Sequence, residues 1–420
     1  MLCGALLGSA PVLDARGRDV RFALPASDVD RINQTVALQL PVDAPQPASL
    51  RDPNDFAVPF QIDDEHLATF IVPRQKAGEV LVYTLASAND AHAAVEIEVV
   101  PRFGDLLVSI AGAPMLGYRM DKGVLPRAGI EDKFRRSGYL HPVFSPAGKM
   151  VTGDFPLNHV HHHGIWTAWS RTSFRGRSPN FWEMGEQTGT VEFVALDRPW
   201  SGAVQGGFVA RQRMVDLSAA APVTVLNETW KVTAYNVPST AGAVRMFDLT
   251  VTQACATADA LELLKYHYGG LGFRGTDEWE GKKMCVLTSE GETARDKANG
   301  TRCRWCYLGA LGTTQERTGI AILGHPGNFR APQPIRVHPD MPFFSFDPSA
   351  LGDWSITPDN PYVARYRFIV MDEAPSRASL DAYWNAYAHP AIPEVISDEH
   401  ADIGTTKATS ASGLVDANAH

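Results

Sequence analysis

The sequence predicts an all-β protein made of a small N-terminal β-sandwich followed by a large β-domain. Runs that alternate apolar and polar residues, which are typical of strands, recur along almost the whole chain. Helical periodicity is confined to one C-terminal segment, which argues against βαβ architectures. The 35 glycines and 29 prolines among 420 residues supply the turns that many short strands require.

The first domain is predicted over residues 1–103. Four of its segments fit strands, and they are residues 36–40, 67–72, 79–85 and 94–100. Residues 41–54 contain four prolines, a composition that is typical of a loop between strands. This spacing predicts a β-sandwich of roughly a hundred residues.

The large domain is predicted over residues 104–395, and its strands are longer. The two-periodic runs are residues 188–196, 207–217, 223–235, 243–255, 261–273, 282–289, 302–311, 319–324 and 363–371. One helix is predicted over residues 376–388, where Ser376 is the N-cap and apolar side chains recur at helical spacing. The polar tail, residues 396–420, is predicted to be disordered.

Charge and hydropathy exclude two classes of function. The 38 Lys and Arg residues against 47 Asp and Glu give a net charge of −9, and no basic block interrupts the chain. Such a protein is a poor candidate for binding nucleic acid, which requires neutralisation of phosphates. No stretch approaches the ~18 apolar residues of a membrane-spanning helix. We therefore expect a soluble protein whose partner is a small molecule or an oligosaccharide, in an oligomeric state that the sequence does not reveal.

The N-terminus and the cysteines leave the cellular compartment open. Residues 1–10 resemble a clipped signal peptide that lacks a positively charged start. The protein is periplasmic or secreted if this stretch is a signal remnant, and otherwise cytoplasmic. Five scattered cysteines are not a disulfide framework, and we expect Cys303 and Cys306 to be buried thiols.

A cluster of histidines is the most informative motif. His159, His161, His162 and His163 lie within five positions of a segment rich in glycine and proline. If this segment is extended, His162 points away from the face that the other three share. An H-x-H pair on such a face can chelate a divalent metal through His159 and His161. Neutral imidazoles also serve as acids, bases and hydrogen-bond partners of sugar hydroxyls, and a structural turn is the third interpretation.

Aromatic residues interleaved with polar ones follow the histidines. Trp166 and Trp182 stand among arginines, Asn180 and Glu183, a composition typical of sugar sites, where flat apolar rings lie beside planar hydrogen-bonding groups. We expect the two tryptophans to stack on a sugar ring. Trp166, Trp169 and their aromatic neighbours also fit simple core packing.

Three later segments contain further candidate site residues. Residues 265–274 bring His267 and Arg274 next to glycines that permit a close backbone approach. His325 and Asn328 follow an apolar strand, at a position where binding residues are common. Glu290 lies in a predicted turn and offers a carboxylate.

At these residues the chain resembles a bacterial family of unknown function that is often labelled "methane oxygenase PmoA". The matching motifs are YLHPVF at 139–144, VTGDFP at 151–156 and HVHHHGIW at 159–166, and the resemblance extends over residues 20–390. It implies a two-part all-β protein whose large domain is similar to the galactose-mutarotase supersandwich. His267 stands where the family has an acidic residue, and His163 where it often has arginine. We discard the methane oxygenase activity, because subunits of that enzyme are built from membrane-spanning helices.

These features favour a carbohydrate-active enzyme, a lyase, hydrolase or isomerase that acts on a glycoside or an oxidised sugar. The expected catalytic residues are His159, His161, His162, His267 and His325, and the expected substrate-binding residues are Trp166, Trp182, Arg274, Glu290 and Asn328. Two alternatives stay open: a non-catalytic carbohydrate-binding protein, and a metal-dependent oxygenase or hydrolase with a non-sugar substrate. The only cofactor suggested is a divalent metal, with His159 and His161 as its ligands.

Overall fold

The structure, a computed structural model, confirms the all-β class. It describes residues 19–40, 49–86, 96–123, 125–239, 242–311 and 317–396. The signal-like residues 1–10 and the tail after residue 396 lie outside the described residues.

Six N-terminal strands form two small sheets that pack together. These strands are β1 (Val20–Leu24), β2 (Arg31–Gln39), β3 (Ser49–Arg51), β4 (Phe60–Ile62), β5 (Leu67–Gln75) and β6 (Leu81–Ala86). One sheet has the order β26-β1-β6-β3, in which β26 (Glu394–Val395) comes from the C-terminal end, and the other has the order β2-β5-β4. The rings of Phe22, Phe70 and Tyr83 fill the space between the sheets, with the last two centroids 5.0 Å apart. Three of the four strands predicted for the first domain lie in this small sandwich. The described part of the fourth, residues 96–100, belongs to β7 (Ile97–Arg102), which pairs with β8 (Asp105–Ile110) in a sheet of the large sandwich.

Two eight-stranded sheets form the large sandwich. The site sheet has the order β22-β23-β18-β11-β10-β9-β8-β7, and the back sheet the order β13-β14-β15-β16-β25-β21-β20-β19. The site-sheet strands are β7 (Ile97–Arg102), β8 (Asp105–Ile110), β9 (Ala113–Arg119), β10 (Tyr139–Val143), β11 (Ile165–Trp169), β18 (Gly269–Arg274), β22 (Ile335–Val337) and β23 (Phe343–Phe346). The back-sheet strands are β13 (Gly189–Trp200), β14 (Gln205–Asp216), β15 (Val223–Tyr235), β16 (Val244–Cys255), β19 (Met284–Thr288), β20 (Trp305–Ala310), β21 (Gly319–Gly324) and β25 (Tyr362–Met371).

The predicted strands of the large domain are confirmed with one difference. The predicted run 261–273 is two strands in different sheets: β17 (Leu261–Leu263) joins β12 (Thr172–Ser173) and β24 (Trp354–Ile356) in a three-stranded sheet, and β18 lies in the site sheet. The chain leaves the first sheet where the backbone N–H of Lys265 donates to Asp353 Oδ1 at 2.6 Å. The predicted domain boundary at residue 103 falls in the turn between β7 and β8, which pair with each other. The division into domains itself stays a prediction.

The core between the large sheets fixes which side chains of β11 point outward. Thr167 donates to Glu228 Oε1 of the back sheet at 2.5 Å, and Trp169 Nε1 donates to Gln253 Oε1 at 2.7 Å. Because successive strand residues point to opposite faces, Trp166 lies on the other face. Register pairing puts Gly272, Arg274, Phe343 and Ser345 on this same outer face of the site sheet.

Helices are few and short. The predicted C-terminal helix is confirmed as α2 (Arg377–Ala388), and the Ser376 hydroxyl accepts a hydrogen bond from Ser379 N at 3.1 Å. The other helices are α1 (Arg295–Ala298) and 3₁₀ turns at Asp132–Phe134, Met184–Glu186, Asp277–Trp279, Gly281–Lys283 and Pro348–Leu351. Within the described ranges, no helix is long and apolar enough to cross a membrane.

Candidate functional site

The histidine-bearing loop is tied at both ends to the same residue of β18. Gly153 N donates to the carbonyl oxygen of Arg274 at 2.9 Å, and Arg274 N donates to the carbonyl oxygen of Gly164 at 2.8 Å. Between these anchors the loop is not extended: His159 N donates to Pro156 O at 3.2 Å, and His162 N donates to His159 O at 2.9 Å. The prediction that His159, His161 and His163 share one face of an extended segment is therefore wrong.

These two turns gather His159, His161 and His162 into a histidine cluster. The ring centroids lie 5.7 Å apart for His159 and His161, 4.9 Å for His159 and His162, and 4.6 Å for His161 and His162. His163 points elsewhere: its Nδ1 lies 2.8 Å from Asp154 Oδ1, and the ring is fully buried against Tyr139. The cluster is thus His159, His161 and His162, with His163 in a packing role.

His161 forms a hydrogen-bonded pair with a carboxylate. Its Nδ1 lies 2.6 Å from Glu183 Oε2, and the two side chains are 15% and 31% exposed. Glu183 is held by the Met184–Glu186 turn, because its Oε1 accepts a hydrogen bond from Gly185 N at 2.9 Å. Burial opposes ionisation, but the hydrogen bond and charge of His161 prevail and lower the pKa of Glu183. Because an ionised Glu183 only accepts hydrogen bonds, it selects the Nδ1–H tautomer of the neutral His161 ring, in which the lone pair lies on Nε2.

A packed aromatic floor lies beneath the histidine cluster. His162 stacks on Phe343 with centroids 4.9 Å apart and lies 5.4 Å from Trp166, which in turn lies 5.0 Å from Trp182. A Cβ at Gly272 would lie 2.8 Å from Trp166 and 2.9 Å from Trp182, so the missing side chain makes room for both rings. Trp166 and Trp182 are 0% and 3% exposed, and neither offers a free face for stacking on a sugar. The floor supports the histidines instead.

Burial keeps two of the clustered imidazoles neutral. Desolvation, followed by the neighbouring charges of His161 and Arg274, lowers the pKa of His162 well below its ordinary value. The same causes in the same order lower the pKa of His159. At neutral pH these rings therefore act as neutral donors and acceptors.

Arg274 is buried at the edge of the floor. One side of its guanidinium forms an ion pair with Glu280 and lies 3.3 Å from Asn158 Oδ1. Its Nε and Nη1 atoms have no hydrogen-bond partner among the described residues. Other buried atoms without a described partner on this face are Nδ1 of His159, Nδ1 of His162, Nε1 of Trp166 and Oγ of Ser345. Such a concentration of unpaired polar atoms is typical of a binding site, because buried polar groups are otherwise satisfied.

The ring of Tyr268 separates the predicted site residue His267 from this floor. The ring of His267 is 4.5 Å from that of Tyr268, which lies 5.7 Å from Phe343. His267 also lines a cavity of about 320 Å³ together with Arg336 and Asp347. The structure thus brings His159, His161, His162, His267, Trp166, Trp182 and Arg274 into one region.

The other three predicted site residues lie away from the histidine cluster, towards α2. His325 and Asn328 line a separate cavity of about 150 Å³, and His325 contacts Tyr387 of α2. Both amide atoms of Asn328 bind the backbone of Arg365 at 2.8 Å, so this side chain holds a turn. Glu290 is exposed at the turn that follows β19.

The residues of the region that are not among the sequence-predicted site residues include Glu183, Tyr268, Glu280, Arg336 and Asp347. Glu183 belongs to the interleaved aromatic and polar segment, and that composition was its only signal. The others become neighbours only in the folded chain, and no local sequence motif predicts this.

The divalent metal expected at His159 and His161 stays a prediction. In the part of the chain that the structure describes, no group of three or more His, Cys, Asp or Glu residues is arranged to hold a metal ion. His161 binds Glu183 through Nδ1 only, so two ring nitrogens of His159 and His161 at most face any ion, without a third described ligand. We therefore assign no step to a metal at His159 and His161.

Comparison with known proteins gives a family but no activity. A search of curated proteins finds no match. A family model described as "Family of unknown function (DUF6807)" matches residues 105–385, which include the site sheet from β8 to β23 and every residue of the candidate site. The match carries no methane oxygenase label. Since it covers well over half of the 420 residues, the chain belongs to the DUF6807 family.

Proposed function

We propose that the protein is a carbohydrate-active enzyme that acts on a glycoside or an oxidised sugar as a lyase, hydrolase or isomerase. The observation that carries the proposal is the pairing of His161 with Glu183 above a floor rich in unpaired buried donors. The expected likeness to the galactose-mutarotase supersandwich agrees with it, although a shared fold does not establish an activity.

His161 is the general base in this proposal. Glu183 orients the ring and favours the imidazolium that forms when Nε2 takes a proton. The partial exposure of both side chains leaves the pair in contact with the surface, where a substrate enters. A general base of this kind contributes roughly 10²- to 10⁴-fold to the rate.

The neighbouring donors supply electrostatic stabilisation. Arg274 offers Nε and Nη1, and Trp166 offers Nε1, all within the region beneath the histidine cluster. Fixed donors in a buried site stabilise developing negative charge on an oxygen more strongly than water does. These groups therefore suit an oxyanion that forms when a proton is removed next to a carbonyl.

The carboxylates of the site favour proton abstraction over ordinary glycosidase chemistry. A two-carboxylate glycosidase needs one acid and one nucleophile or base. Here Glu183 is bound to His161, and Glu280 is bound to Arg274. With both carboxylates engaged by basic groups, histidine chemistry is the better fit, and it favours a lyase or an isomerase.

Turnover of a panel of glycosides, uronides and keto-sugars tests the proposal. We expect His161→Ala to lower kcat at least about 100-fold, because it removes the base, and Glu183→Gln to lower kcat as well, because it removes the counter-charge of the imidazolium. His162→Ala should abolish turnover too, with the fold retained by circular dichroism. Arg211→Ala is the control, since its ion pair with Asp197 is exposed and lies on the back sheet.

Two results contradict the proposal. Turnover that is unchanged in His161→Ala removes the base from the mechanism. Sugar binding that His161→Ala weakens, in a protein with no turnover on the whole panel, makes the protein a carbohydrate-binding module, which is the first alternative.

A further inference from the structure

A cavity adjoins the histidine cluster on the same side of the site sheet. It measures about 320 Å³, and its lining residues are His267, Asn299, Gly300, Ile335, Arg336, Asp347 and Ala350. A row of packed rings connects it to the cluster, since Tyr268 contacts both Phe343 and the guanidinium of Arg336, with Arg336 Cζ 5.5 Å from the Tyr268 ring. Tyr268 therefore lies between this cavity and the aromatic floor on which the histidines rest.

Arg336 contributes a positive charge that no described carboxylate neutralises. Its Nη2 donates to the Tyr268 hydroxyl at 3.4 Å and its Nη1 to the carbonyl oxygen of Val337 at 3.3 Å, both long contacts to neutral groups. Its Nε is buried and has no partner among the described residues. Arg274, by contrast, is paired with Glu280. An arginine without a counter-ion in a cavity is a ready anion-binding group.

The acidic residue of the cavity does not cancel this charge. Burial raises the pKa of Asp347 to about 8, against opposing hydrogen bonds from the backbone of Ser349 and Ala350, so the carboxyl is protonated at neutral pH. Its Oδ1 accepts a hydrogen bond from Ser349 N at 3.2 Å, and its Oδ2 has no partner among the described residues. A protonated Asp347 adds no negative charge to the cavity. The cavity is therefore cationic, although the chain carries a net charge of −9.

We propose that this cavity is an anion subsite in which Arg336 binds the carboxylate of an acidic sugar, such as a uronate, while the rest of the substrate crosses Tyr268 to the histidine cluster. The proposal rests on the proposed function and names its substrate class. Arg336 is a positioning residue here: its guanidinium accommodates a planar carboxylate through two parallel hydrogen bonds.

The charge of the cavity favours a carboxylate over a phosphate. Burial, followed by the charges of Arg336 and Arg171, lowers the pKa of His267, and burial, followed by the charge of Arg336, lowers the pKa of His338 to about 4, so both rings are neutral at pH 7. Among the described residues that line the cavity, Arg336 is thus the one with a full positive charge, and this charge matches the single negative charge of a carboxylate. A phosphate monoester carries −1.5 to −2 at this pH and would leave charge uncompensated.

Binding of D-glucuronate, D-glucose and inorganic phosphate, measured by ligand-observed NMR at pH 7 on the full chain, tests the subsite. We expect D-glucuronate to bind more tightly than D-glucose. Arg336→Gln should weaken D-glucuronate binding by about tenfold or more, because it removes a charge-assisted bidentate contact. Arg211→Gln, which removes an exposed arginine of the back sheet, should leave binding unchanged.

Three outcomes overturn the subsite: equal binding of D-glucuronate and D-glucose, no binding of D-glucuronate, or D-glucuronate binding that Arg336→Gln leaves intact. Phosphate that binds more tightly than D-glucuronate and depends on Arg336 overturns the assignment of a carboxylate. His161→Ala separates this proposal from the proposed function. If D-glucuronate binding depends on Arg336 but His161→Ala leaves turnover unchanged, the subsite stands and the catalytic proposal fails.

Discussion

Replacing Asp347 by asparagine should change how the stability of the protein depends on pH. Asp347 is 1% exposed, and burial raises the pKa of its carboxyl to about 8. Asparagine keeps the oxygen that caps the Pro348–Leu351 turn by accepting from Ser349 N, but it does not titrate. The comparison of wild type with Asp347→Asn therefore isolates the ionisation of one group.

The sign follows from proton linkage. Since the pKa of Asp347 in the folded state lies above the ordinary 3.8, folding takes up a proton, and the stabilisation is fully present below pH 3.8. It is lost progressively as the pH rises to about 8. A tenfold change in proton affinity is worth ~1.4 kcal/mol, so the wild type loses about 4 kcal/mol relative to Asp347→Asn by pH 7 and about 5 kcal/mol by pH 8, where half of the folded-state carboxyl is ionised.

Urea unfolding between pH 4 and pH 9, followed by tryptophan fluorescence, measures this difference. We expect the two free energies of unfolding to approach each other at low pH and to separate in favour of Asp347→Asn as the pH rises. Asp154→Asn is the opposite control: hydrogen bonds from His163 and Tyr139 outweigh burial and lower the pKa of Asp154, so its contribution should disappear on acidification. A free-energy gap for Asp347→Asn that stays constant across this range would refute a buried, neutral carboxyl.

Two packing predictions complete the set. Gly272→Ala puts a methyl group 2.8 Å from the ring of Trp166, so it should lower the free energy of unfolding by about 1–3 kcal/mol and should also lower turnover. Gly324→Ala is the control, because its nearest contact is at 3.6 Å and the loss of stability should be smaller. Equal losses of stability in thermal unfolding would contradict this prediction. Arg367→Leu removes the buried ion-pair partner of Asp248, whose Oδ1 lies 2.7 Å from Arg367 Nε. It should lower the free energy of unfolding in urea by about 3–5 kcal/mol. Arg211→Leu, which removes an exposed ion pair, should lower it by less than about 1 kcal/mol. Similar values for both arginines would refute the role of burial.

The fold was predictable where alternation alone decides the structure. Long runs such as residues 223–235 alternate without interruption, and they form strands with the predicted bounds. Residues 261–273 alternate equally well, yet they split between two sheets, because the register depends on partners far away in sequence. Strand β26 has only two residues, too few to show any alternation in the sequence. It is a strand only because it pairs with β1.

The site was predictable to the extent that its residues are clustered in sequence. Four histidines within five positions mark the loop, but the turn at His159–His162 decides which of them face each other. Glu183 lies more than twenty positions away and meets His161 only in the folded chain. Asn328 and His325 follow a strand as binding residues often do, but they leave the sheet on the side of α2. A sequence motif thus identifies a candidate binding residue, but it does not predict on which side of the sheet the side chain lies.

The aromatic floor on the outer face of the site sheet depends on the absence of a side chain in β18. Gly272 puts no side chain on this face, and the ring of Trp166 from β11 and the ring of Trp182 from the following loop fill the space that it leaves. The same strand ends at Arg274, whose backbone holds both ends of the histidine loop and whose side chain lies beneath it. One strand therefore makes room for the floor and anchors the loop that carries His161, the base that we propose. This coupling explains why a change at Gly272, which itself has no side chain to contact a substrate, should impair turnover together with stability.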